Sequence, residues 1–179
     1  MSQVKISGNA SGTGVLTIAA PNTNTDRSIT LPDKAGEVAV GAGTIVQVVQ
    51  SIYSTQVAST TNVLADTGLS ATITPTSSSN KILVMFSQAG LQKNTSNTGV
   101  VLRLFRGTTQ ILDIAFNTGF TNSTATNRVG TASSMKLDSP ATTSAVTYKT
   151  QFSSVGGGTG VYVQVDNDDS VMTLLEVVA

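Results

Sequence analysis

The chain has 179 residues, of which only 11% are charged; ten acidic residues balance ten basic ones, and there is no cysteine or histidine. Disulfide frameworks, thiol nucleophiles, Ser–His relays and Cys/His zinc sites are therefore excluded. The chain also lacks the basic surface of a nucleic-acid binder and the polybasic segment of a membrane-surface protein, so neither partner is expected.

Residues 1–43 read as a small arm of short strands. Val4-Lys-Ile6 and Gly14-Val-Leu-Thr-Ile-Ala19 alternate weakly around a Gly/Asn/Ser segment. Pro21-Asn-Thr-Asn-Thr-Asp26 turns the chain into Arg27-Ser-Ile-Thr-Leu31, and Pro32-Asp-Lys-Ala-Gly36 turns it again into Glu37-Val-Ala-Val40. Hairpins this small are marginal alone, so the arm is expected to pack on something else. Its assembly residues are expected to be Val15, Leu16, Ile18, Ile29, Leu31, Pro32, Val38 and Val40. The opening residues show no apolar signal-peptide core, and synthesis in the cytoplasm is expected.

From Thr44 the strands lengthen into a second domain, 44–179. Ile45-Val-Gln-Val-Val-Gln-Ser-Ile-Tyr53 is rich in β-branched residues, which suit a half-buried pleated surface. Leu69, Ala71 and Ile73 alternate with Ser70, Thr72 and Thr74. The run Ile82 to Phe86, bounded by a turn-like segment and Gly90, predicts a central strand buried on both faces. Gly99 to Arg106 and Gln110 to Phe116, joined through Gly107, predict a hairpin. Residues 117–134 read as a long surface excursion, followed by a short strand at Ser133 to Asp138. Val146 to Phe152, Val161 to Val165 and Val171 to Val178 complete the set, with a Gly-rich loop at Gly156 to Gly160 and a turn at Asp166 to Asp169. No helical periodicity interrupts them. Strands at this spacing predict an all-β, antiparallel β-sandwich of jelly-roll type.

Two segments of the arm, Gly14-Val-Leu-Thr-Ile-Ala-Ala-Pro21 and Arg27-Ser-Ile-Thr-Leu-Pro-Asp-Lys-Ala-Gly36, resemble a pair common in tailed-bacteriophage fibre and virion proteins just before a trimeric β-domain. Glu37 departs from the threonine more usual there. Asp66 to Pro75, Ser79 to Val84 and Val171 to Glu176 are similar to a module of such virion proteins. The resemblance implies a virion protein whose β-sandwich forms a homotrimer. Weakly charged strands with scattered Val and Ile also suit subunit packing around an axis.

The chemistry-bearing residues read blandly. Asp166, Asp168 and Asp169 fit a solvated turn better than a calcium loop, whose Gly and Glu positions they lack. Gly156 to Gly160 has no following Lys-Ser/Thr or helix, so it is no phosphate loop. Arg103 and Arg106 read as solvent-side or subunit-contact residues. Asp66, Asp113 and Asp138 fall on separate strands or ends, and with no Trp the chain lacks the platforms of a glycosidase. The expectation is a non-enzymatic protein without cofactor or metal: a trimeric decoration or cement protein in the virion, bound to the major capsid protein through the arm. The alternative is a tail-fibre tip reading a host surface glycan through loops at Lys93, Asn94, Asn97, Asn117 and Asn122, because loops on rigid scaffolds carry recognition.

Overall fold

Segments with a two-residue period become strands when one face of each finds a shared core. In the computed structural model, the described residues are 11, 13–15, 17, 24, 42–123, 126–155 and 160–179. They form ten strands: β1 (Ile45–Tyr53), β2 (Val57–Ser59), β3 (Ala65–Ile73), β4 (Lys81–Lys93), β5 (Thr98–Arg106), β6 (Thr109–Thr121), β7 (Asn127–Asp138), β8 (Val146–Ser154), β9 (Val161–Val163) and β10 (Ser170–Val177). A 3-10 turn at Val165–Asn167 is the one helical segment among them. The chain divides into two compact units, Met1–Glu37 and Val38–Ala179, and all ten strands belong to the second.

The eight long strands pair as one nested hairpin. β5 pairs with β6, β4 with β7, β3 with β8 and β1 with β10, all antiparallel. Rolling that hairpin adds the β4–β10 and β5–β8 pairings. The result is a larger sheet built on β1, β10, β4 and β7, extended by β9 and β2, facing a sheet of order β3-β8-β5-β6. This is the jelly-roll sandwich that the strand spacing predicts.

β4 is central: β7 pairs along most of its length, β10 pairs its first half and β9 its last two residues. It is not sheathed on both faces, however. Ile82, Val84 and Phe86 are buried, whereas Met85 is 40% exposed. The strand covered on both sides is β5, where Val100, Val101, Leu102, Leu104 and Phe105 are all buried. A second correction concerns residues 117–134. β6 continues to Thr121 and β7 begins at Asn127, leaving residues 122–126 between them in place of the long excursion. Asn117 and Gly119 adopt left-handed conformations (φ 62° and 72°) inside β6, and the bulges they make carry the strand past residues that look like loop.

Two apolar clusters fill the sandwich. Leu69, Ile73, Phe86, Leu104, Met172 and Leu174 belong to one; Leu91, Val100, Leu102, Phe152, Val161 and Val163 form the other. A buried polar belt falls between them along β4 and β8. Thr150 Oγ1 donates to Gln88 Oε1 at 2.8 Å and lies 2.6 Å from Thr67 Oγ1; Gln88 Nε2 donates to Ser170 Oγ at 3.0 Å. Gln88, Thr67, Thr150 and Ser170 are fully buried, so each needs its partner. Thr150→Val is expected to cost about 1–3 kcal/mol in urea unfolding by stranding the buried Gln88 Oε1, and a loss within experimental scatter would contradict that role. Asp138 of β7 adds a clasp between the sheets, accepting from Tyr148 Oη of β8 at 2.7 Å and Arg106 Nη1 of β5 at 2.8 Å. Burial, reinforced by the Asp138 bond, pushes the Tyr148 hydroxyl far above the ordinary tyrosine range.

Candidate assembly surface

The outer face of the larger sheet reads in rows across its four main strands. Paired registers place Val48, Leu175, Leu83 and Leu137 in one row; Gln50, Thr173, Met85 and Met135 in the next; Ile52, Val171, Ser87 and Ser133 in the third. None of these side chains is ionisable. Val48 is 60% exposed, Ile52 56%, Met135 63% and Leu137 49%. A shallow groove of about 390 Å³ runs between Met85, Ser87, Ser133, Met135, Val171 and Thr173.

β7 makes the placement unusual. In its Ser133-Ser-Met-Lys-Leu run, alternation alone would turn Met135 and Leu137 inward. The register does the reverse: Ser134 and Lys136 lie opposite the core residues Phe86 and Val84, and Met135 and Leu137 face out. β10 carries apolar residues on both faces, with Met172 and Leu174 inside and Val171 and Leu175 outside. Such a sheet resembles a buried layer rather than the wall of an isolated sandwich.

The opposite wall is built for water. Asp66 pairs with Lys149 at 2.8 Å and accepts from Gln151 Nε2 at 2.7 Å; Arg103 pairs with Asp113 at 2.8 Å. Burial pushes the Asp66 carboxyl up, but the Lys149 and Gln151 bonds outweigh it and hold it below the ordinary value. The three carboxylates weighed in the sequence are thus each engaged by a cation: Asp66 by Lys149, Asp113 by Arg103 and Asp138 by Arg106. Asp166 is held by Arg128, whose hydrogen bond lowers its pKa. Among the described residues no three acidic groups gather in a way that could hold a metal ion.

The loop residues singled out in the sequence meet only in part. Lys93 is fully buried, and its ammonium donates to Thr121 Oγ1, to Ser123 O at 2.7 Å and to Thr95 O at 3.3 Å. Its three protons are spent clamping its own loops, which leaves none for a ligand. Asn94 donates to Tyr162 Oη at 3.0 Å; Asn97 is exposed in a left-handed turn, its N–H bonded to Thr121 O at 2.9 Å. Asn122 is exposed beside this cluster, whereas Asn117 packs against Gly99 in the β5–β6 pair. Of the arm residues, Val15 is 89% exposed; Leu16, Ile18, Ile29, Leu31, Pro32, Val38 and Val40 lie outside the described residues, as does the expected hairpin arm. Sequence reasoning missed the outer face because apolar alternation does not reveal which side of a sheet meets the core.

No family model matches the chain, and a search of curated proteins found no match either.

Proposed function

We propose that this chain is a non-enzymatic structural protein of a bacteriophage particle, a homotrimeric decoration or cement protein held to the major capsid protein through residues 1–43. The observation that carries the assembly reading is the outer face of β1, β10, β4 and β7, whose three central rows carry no ionisable side chain and end at Lys81, with Met135 and Leu137 turned away from the core. An exposed apolar patch on a sheet face is often a contact surface. The jelly-roll fold is compatible with capsid service but hosts many functions, so it does not carry the reading. The particle assignment draws on the fibre-like segments Gly14–Pro21 and Arg27–Gly36.

Quantitative mass spectrometry of purified particles tests it. A decoration protein is expected at on the order of hundreds of copies, in multiples of three, against roughly tens for a fibre. Deleting residues 1–40 is expected to leave a folded domain that no longer coats particles; normal coating by the deletion variant would remove the arm from the account. The fibre-tip alternative draws on Phe116, 72% exposed beside Asn62 and Arg103 in a groove of about 300 Å³. Binding of purified protein to host cells would favour that alternative.

A further inference from the structure

We infer that the outer face of the larger sheet, together with the edge of β1 that is open among the described residues, is a contact between copies of this chain. This rests on the assembly reading above and names the occupant of its surface: a second copy.

The edge is the independent observation. An exposed strand edge templates further pairing unless something guards it. β3 is interrupted by a bulge around Gly68, β2 has only three residues, and β6 carries Asp113 and four register irregularities. β7 carries Arg128 and Lys136. β1 has none of this protection: nine residues, Ile-Val-Gln-Val-Val-Gln-Ser-Ile-Tyr, with no charge and no proline, and one irregularity at its start. Among the described residues, no backbone hydrogen bond outside its β10 ladder reaches it.

Charge and area select the occupant. Three rows without ionised groups, with Lys81 only at their end, discriminate against a charged partner, because burying unpaired charge is costly. A second copy supplies an uncharged face of matching chemistry, whereas the Asp66–Lys149 wall does not. Four strands about 4.8 Å apart, with three outward rows, span about 400 Å². The β1 edge, about 30 Å long and about 10 Å deep, adds about 300 Å². Together they approach the roughly 800 Å² per partner of a stable interface, which neither surface reaches alone.

Light-scattering mass measured across a dilution series tests this on the full chain, with Val48→Lys and Met135→Lys as disrupting variants. Thr72→Lys, on the other wall, is the control. The native chain and the control are expected to run at two or more times the chain mass, and each disrupting variant to dissociate at about 100-fold higher concentration, because a buried unpaired ammonium opposes closure. Circular dichroism establishes that the variants are folded. Hydrogen exchange is expected to show the β1 amides that do not bond β10 protected in the native oligomer and unprotected in Met135→Lys. A monomeric native chain, or oligomers indifferent to both lysines, overturns the inference. So does an oligomer lost on deleting residues 1–40 but kept in both lysine variants, which would place the contact in the arm. The particle assignment fails separately, by absence of the chain from purified particles, and that outcome leaves the mass result standing.

Discussion

Glu176→Gln is expected to lower stability by about 2–3 kcal/mol at pH 7, since hydrogen bonds to a buried charged group are worth about twice neutral ones. Glu176 is fully buried near the end of β10. Its Oε1 accepts from Thr76 N, Thr76 Oγ1 and Asn80 Nδ2, each at 2.7 Å. The carboxylate therefore organises the β3–β4 turn and pins it to the last strand. Burial alone pushes this carboxyl up, yet the Asn80 and Thr76 bonds prevail and hold it below its ordinary value. The pH dependence follows from that sign. A depressed folded pKa contributes stability that is present above the unfolded glutamate value of about 4.3 and is lost as pH falls through the folded value. The gap between wild type and variant should thus be constant from pH 7 to about 5 and close at lower pH, toward the folded value. Urea unfolding at pH 7 and pH 3 measures it. An equal gap at both pH values would mean that the glutamine acts through shape rather than charge.

Gly90→Ala is expected to be the costlier change, about 3 kcal/mol or more, placing it among the severe single substitutions. Gly90 has φ +61°, and a methyl group there would sit 2.3 Å from Val165 N and 2.9 Å from the Gln164 backbone. The approach is backbone against backbone, at the place where Gln164 N donates to Ala89 O at 3.0 Å, so no rotamer can relieve it. Gly107→Ala separates the two contributions. Gly107 also has a left-handed φ, +56°, but open space around it, so only the conformational cost of about 1–2 kcal/mol applies. Thermal unfolding of both variants gives the difference. Equal losses would show that the 3-10 turn yields easily and that the close approach at Gly90 is not a constraint.

Much of the architecture was legible from local pattern. β1 was readable residue for residue because Ile45 to Tyr53 is apolar, β-branched and bounded by glycine and a polar stretch. The β5–β6 hairpin was legible through Gly107. The joined excursion at 117–134 was misread because Thr, Ser, Asn and Gly look the same in a bulged, half-exposed strand as in a loop. Lys93 looked like a recognition residue for a related reason. A lysine among Asn, Thr and Ser reads as surface, and only the folded loops bring the Thr95 and Ser123 carbonyls to its ammonium.

By itself the sequence determined the class of protein: no net charge, free of Cys and His, a run of period-two segments that bury their apolar faces as packed β-sheet. Which side of each strand meets the core was left to the tertiary structure. Alternation says that Met135 and Leu137 share a face, and Ser134 and Lys136 the other, but only pairing with Phe86 and Val84 decides which face lies inside. The physical reason is that a one-residue shift of register exchanges the two faces of a strand without changing its local pattern.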